Sequence, residues 1–128
     1  MKPEYKLKYA ILALQALWED KEIPDNLTEE DIEDLWDEAD CLQDAKSEIR
    51  CGDVETNVEC DYSRHYESKS VAAQCPNGEW VGWTYWFGGG KYGEPEAIDW
   101  IEYAYDLDCV EEQKMVTVRT FTKKGDKK

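Results

Sequence analysis

Histidine is almost missing from this chain: His65 is the only one among 128 residues. A Ser-His-Asp or Cys-His catalytic site needs an imidazole as its base. His65 stands between Arg64 and Tyr66, and no motif ties it to a nucleophile. Positive charge is scarce as well, with 15 Lys and Arg against 30 Asp and Glu and a net charge of −15. A surface of that sign repels nucleic acid and anionic membranes and steers toward basic partners. Nor does any apolar run approach the roughly 20 residues of a membrane span. The first residues alternate apolar with charged side chains, without the apolar core of a secretory signal. A cytoplasmic protein with neither nucleic acid nor membrane as direct partner is expected.

Closely spaced ligand pairs are lacking too. Cys41, Cys51, Cys60, Cys75 and Cys109 are odd in number and contain no Cys-x-x-Cys, which argues for reduced thiols over a disulfide framework. Cys60, His65 and Cys75, with or without Cys51, could offer zinc soft ligands, but their irregular spacing is unlike that of zinc modules. No metal and no cofactor are expected. A calcium loop of the Asp-x-Asp-x-Asp-Gly kind is also missing. Gly88-Gly89-Gly90-Lys91 lacks the Gly-Lys-Ser or Gly-Lys-Thr ending of a phosphate loop, and Glu94 and Glu96 behind it would repel phosphate. It reads as a sharp structural loop. Among 30 carboxylates, neighbouring pairs arise without catalytic meaning. No catalytic residue is assigned, and a protein that is not an enzyme is expected.

What the chain does have is material for a core: 41% hydrophobic residues, 12% aromatic, with six Trp and eight Tyr. That separates it from disordered acidic chains. Its length suits one domain, taken as residues 1–122, with 123–128 as a frayed basic tail. Leu7, Ala10, Ile11, Leu14, Leu17 and Trp18 recur at three- and four-residue steps and predict a helix over residues 3–20. Pro24 keeps the residue before it out of a helix and leaves 21–27 as a connector. Thr28 then caps a second helix, with Glu29, Glu30 and Asp31 at its positive end and Leu27 and Ile32 as a hydrophobic staple. Its buried stripe is Ile32, Leu35, Trp36, Ala39 and Leu42.

Past about residue 50 the pattern turns strand-like. Strands are expected over 54–62, 65–75 and 80–87, the last two joined by a hairpin at Asn77-Gly78, where both residues tolerate positive φ. A helical turn over 95–100 follows the glycine loop. A strand over 101–109 places Ile101, Tyr103, Tyr105, Leu107 and Cys109 on one face and Glu102, Ala104, Asp106 and Asp108 on the other. A turn at 110–113 leads into a last strand near 115–122. The expected architecture is α+β: two N-terminal helices whose Leu14, Leu17, Leu35 and Trp36 pack on an antiparallel sheet of about four strands.

Two candidate surfaces emerge. The first is acidic: eight of the twelve residues from Glu29 to Asp40 are acids, with no Lys or Arg between them. Glu30, Glu33, Asp34, Asp37 and Asp40 on the helix, with Asp106 and Asp108 on the strand, are the partner-binding candidates. They could occupy the phosphate sites of a basic nucleic-acid-binding protein, although surface acid also simply keeps small proteins dispersed. The second is aromatic, formed by Trp83, Trp86, Lys91, Tyr92 and Trp100 around the glycine loop, as an alternative site for a small ligand. Packing within the core is the competing role for these rings.

The run Trp80-Val-Gly-Trp-Thr-Tyr-Trp-Phe-Gly-Gly-Gly-Lys-Tyr-Gly-Glu-Pro-Glu-Ala-Ile-Asp-Trp100, with Val116-Thr-Val-Arg-Thr-Phe121, resembles small accessory proteins carried by bacteriophages and prophages. The resemblance covers the C-terminal part of the chain and brings no active residues with it. It implies a bacterial host cytoplasm and an inhibitor of a host defence factor, such as a restriction or CRISPR nuclease.

Overall fold

The structure is a computed structural model that describes residues 1–60 and 62–109, together with Arg119 and Phe121. Three helices come first: α1 (Pro3–Trp18), α2 (Glu29–Glu38) and α3 (Gln43–Arg50). Four strands follow, β1 (Val54–Glu55), β2 (Glu67–Gln74), β3 (Trp80–Phe87) and β4 (Tyr105–Leu107), with a short 3-10 turn at Pro95–Ala97. The strands form one antiparallel sheet in chain order. The architecture is α+β, as the sequence predicts. The turn expected at 110–113 and the tail at 123–128 lie outside the described residues, as does the strand expected at 115–122 apart from Arg119 and Phe121.

The first half of α1 is the centre of the packing. Leu7, Tyr9, Ala10, Ile11 and Leu12 are all buried, because α1 meets α2 and α3 as well as the sheet. Tyr9 fixes the connector between the helices: its hydroxyl donates to the carbonyl of Pro24 and accepts from the N–H of Leu27 at 3.4 Å. The periodic stripe runs out before the helix does. Leu14 still packs on the core, but Leu17 is 71% exposed and Trp18 is exposed beside it, which corrects the placing of Leu17 against the sheet.

The second helix is shorter than its apolar stripe suggests, because the chain leaves helical geometry at Ala39 and Cys41 adopts a left-handed φ of 56°. Leu42 therefore leads into α3, which the two-helix expectation does not contain. α3 buries only Ala45 fully. Ile32 is the deep anchor of α2 and Trp36 packs at the edge of the core, whereas Leu35 is 37% exposed rather than seated on the sheet.

On the helix-facing side of the sheet, Val71, Ala73, Val81 and Trp83 join the core. On the other face Gly82 makes room for β4: a Cβ there would lie 2.7 Å from both Leu107 Cδ1 and Tyr105 Cε2. The β2–β3 hairpin forms where Asn77-Gly78 predicts it, but with a three-residue loop. Cys75 N–H donates to Glu79 O at 2.7 Å, and Gly78 alone takes a positive φ, 93°. Asn77 instead uses its side chain, accepting from Glu79 N–H at 2.9 Å. The strands predicted over 54–62 and 101–109 shrink to β1 and β4. Ala104 N–H bonds back to Ile101 O at 3.2 Å, and this turn ends the alternation expected from residue 101, leaving Tyr103 exposed. Cys109 is likewise exposed rather than facing the core.

Candidate functional site

The acidic surface is built on a well-fixed helix. Thr28 Oγ1 accepts from Asp31 N–H at 3.2 Å, and Asp31 Oδ2 accepts from Thr28 N–H at 3.1 Å, a reciprocal cap that satisfies two otherwise orphaned donors. Glu29, Glu30 and Asp31 lie in the first turn, at the positive end of the helix dipole. Two further carboxylates have local partners: Glu29 accepts from Lys2 N–H at 2.6 Å and Glu33 from the Tyr5 hydroxyl at 3.4 Å. Glu30, Asp34, Asp37 and Asp40 face solvent. Among the described residues the ion pairs are those of Lys6 and Lys21, and none reaches a carboxylate of α2.

Nearby groups register this field. The Tyr5 hydroxyl is pushed above its ordinary pKa, first by the charge of Glu33, then by burial and by Glu4 and Glu29. Lys8 and Lys46 lie over the ring of Trp36, at 5.4 and 4.9 Å from its centroid. Between residues 19 and 44 the chain concentrates 13 of its 30 acids, with Lys21 the lone base.

Asp106 and Asp108 stand apart from that set. Asp106 pairs with Val81 across β3–β4 and receives Lys6 Nζ at 2.6 Å, with Glu79 3.5 Å from the same nitrogen. The Lys6 side chain is only 8% exposed. Burial works against its charge, yet the hydrogen bond and charge of Asp106, followed by those of Glu79, outweigh burial and raise its pKa. Asp106 is thus engaged in clamping β4 to α1, while Asp108 is exposed just beyond the strand.

The aromatic candidates do not converge on one cup. Trp83 is fully buried and Trp100 nearly so, their ring centroids 5.5 Å apart, which makes both part of the core. Trp86 is half-buried and lines a hollow of about 160 Å³ with Ile98, Trp100 and Tyr103. Ligand pockets usually span about 300–1,000 Å³. Lys91 and Tyr92 lie outside that hollow; Tyr92 is 89% exposed, with the Lys91 ammonium 5.7 Å from its ring.

The thiols are scattered: Cys41, Cys51 and Cys109 are exposed, Cys60 is half-buried and Cys75 is buried. His65 is exposed, and Cys60 Sγ lies 3.5 Å from Ser68 Oγ. No group of three or more His, Cys, Asp and Glu among the described residues is placed to hold a metal ion. None of their helices is long and apolar enough to cross a membrane.

A hollow of about 460 Å³ opens between α1, the connector and α2, floored in part by Leu35. Assigning Leu35 to a buried stripe hides it, since periodicity marks the inward face of a helix but not whether that face is covered. No protein-family model matches the chain, and neither a curated protein nor a solved structure matches it.

Proposed function

We propose that this chain is a non-enzymatic binding protein that engages a basic protein through the solvent-facing carboxylates of α2, which occupy sites where the partner ordinarily holds nucleic-acid phosphates. The observation that carries the reading is linear charge density. α2 has seven carboxylates in its ten residues. At about 1.5 Å of rise per residue this is one charge per about 2 Å of axis, against one per about 1.7 Å along duplex DNA. Glu33 and Asp34 each stand three or four residues from both Glu30 and Asp37, the spacing that puts Cβ atoms about 5–6 Å apart on a helix surface. Their lack of ion-pair partners among the described residues leaves them available to a partner's Lys and Arg. Association through such a surface is fast and salt-sensitive. The bacteriophage resemblance of residues 80–100 directs the search to bacterial host proteins, and defence nucleases of the restriction or CRISPR type have the basic groove required.

The test compares the wild-type chain with the E30Q/E33Q/D34N/D37N variant as bait in a bacterial lysate, with captured proteins identified by mass spectrometry. The expected result is a nucleic-acid-binding protein retained by the wild type, lost with the variant and displaced by duplex DNA. Equal retention by both baits, or retention indifferent to DNA, overturns the reading.

A further inference from the structure

We propose that the hollow between α1, the connector and α2 is a docking groove for a short basic amphipathic segment of a protein partner, whose apolar side chains enter it while its Lys or Arg meet the rim. This goes beyond phosphate mimicry, because it requires an apolar anchor and shares with the acidic surface only Glu38 and Asp40 at its rim. Glu30, Glu33, Asp34 and Asp37 do not line the hollow. Its floor is apolar: Leu12 and Ala16 from α1, Ile23 from the connector, and Leu35, Ala39 and Leu42 from the end of α2 and just beyond. At about 460 Å³ it falls within the size range of ligand sites, about 300–1,000 Å³. Leu35 shows that the floor is uncovered: it sits on the inward side of an amphipathic helix and still keeps 37% of its surface in solvent. The same last turn of α1 leaves Leu17 and Trp18 exposed.

Charge selects the occupant. Glu19, Glu22, Glu38 and Asp40 border the hollow, and the one cation among the described residues that line it, Lys21, pairs with Glu19 at 3.1 Å. A second copy of this chain would bring four rim carboxylates against an acidic surface in a chain of net charge −15, and like charges across an interface oppose association. A segment with apolar residues on one face and Lys or Arg beside them fits both features. Such helix-in-groove recognition is read through anchors spaced at i, i+3, i+4 and i+7.

The probe is a synthetic peptide of about 15 residues with Leu at those anchor positions and Lys at most others, set against a scrambled peptide of the same composition, in about 150 mM salt. Isothermal titration is expected to show the patterned peptide binding at least about tenfold more tightly than the scrambled one, with Leu35→Gln losing at least about tenfold. E38Q/D40N should weaken binding and flatten its salt dependence. E30Q/E33Q/D34N/D37N should weaken both peptides alike and leave the ratio between patterned and scrambled affinity unchanged, which separates this groove from the α2 surface. Should Leu35→Gln fail to fold, chemical-shift mapping on the wild-type protein decides, with perturbations expected to centre on Ala16, Ile23, Leu35 and Ala39. Equal affinity for the scrambled peptide, an unaffected folded Leu35→Gln, or shifts spread over the charged surface overturns the proposal. So does sedimentation showing a dimer that closes the groove.

Discussion

The indole N–H of Trp83 donates to the backbone carbonyl of Arg50 at 2.9 Å, tying the middle of the central strand β3 to the last residue of α3. Arg50 returns the contact, since its guanidinium donates to the carbonyl of Trp86 and lies 4.8 Å from the ring centroid of Tyr85. A helix that buries only Ala45 fully is thereby fastened at its C-terminal end, where the last carbonyls otherwise need water or a side chain.

Trp83→Phe and Trp83→Ala separate the two contributions. The first keeps a ring in the core but leaves the Arg50 carbonyl without its donor, and should cost about 1–3 kcal/mol. The second also empties the site of the largest fully buried side chain and should cost about 3–5 kcal/mol. Urea unfolding followed by circular dichroism measures both. Equal losses would mean that the ring kept in Trp83→Phe adds nothing measurable, and a Trp83→Phe loss near zero would mean that the indole hydrogen bond adds nothing.

How far the sequence shows this structure depends on whether a signal is local. Thr28 with its following acids and the Asn77-Gly78 turn are local chemistry, and both form where the pattern places them. The run from Trp80 to Phe87 becomes β3 with the predicted limits. α3 is hidden because Gln43–Arg50 has little apolar content and no side-chain cap, and is held by Trp83 from a distant strand. Leu17 and Leu35 share a helical stripe with core residues, but exposure depends on where neighbouring elements end. The same limit applies to the candidate sites. That α2 is acidic and outward is legible from spacing alone, whereas the engagement of Asp106 by Lys6 depends on bringing α1 to β4, across a separation of 100 residues.

The Lys6 cluster predicts an ordering of variants. The partners of Lys6 outweigh its burial, but Met in the same place adds apolar packing, so Lys6→Met should fall within about 1 kcal/mol of wild type. Asp106→Asn instead leaves the buried ammonium with Glu79 alone at 3.5 Å and should be the less stable of the two. Because Asp106 is 60% exposed, that loss should stay near about 1 kcal/mol, reduced by solvent screening. The sign with pH follows from the raised pKa of Lys6 in the fold. Its contribution is fully present below the unfolded value of about 10.4 and is lost as pH rises through the folded value. Stability curves above about pH 10 should therefore be flatter for Lys6→Met than for wild type.

Thiol chemistry should follow burial. Cys41, Cys51 and Cys109 are exposed and should react with a chromogenic disulfide reagent within mixing time at mildly alkaline pH, with half-buried Cys60 slower. Burial pushes the Cys75 thiol up in pKa, so in the folded protein it is both shielded and poor in thiolate. Its modification should proceed no faster than the protein opens, and should accelerate in urea. A Cys75→Ala variant that still shows the slow phase would assign that phase to another cysteine.

Salt dependence of stability tests whether the acidity of α2 carries a cost in the free protein. Glu30 with Asp34 and Glu33 with Asp37 are like-charge pairs four residues apart, each unfavourable by about 0.2–0.5 kcal/mol at low salt. They sit in a chain with twice as many acids as bases, 30 against 15, so the compact state repels itself. Raising NaCl from about 10 to 300 mM shortens the Debye length from about 30 Å to well under 10 Å and should raise the melting temperature of the wild type. E30Q/E33Q/D34N/D37N should melt higher than wild type at low salt and respond less to salt, even though it gives up the 3.4 Å contact between Tyr5 and Glu33. Asp31→Ala is the control on the same helix. Asp31 completes the cap with Thr28, so its loss should cost about 1 kcal/mol at every salt concentration. A wild-type melting temperature that is flat in salt, or a four-site variant less stable than wild type at low salt, would show that these carboxylates impose no strain on the free protein. Their number would then be no argument that a basic partner is needed to relieve it.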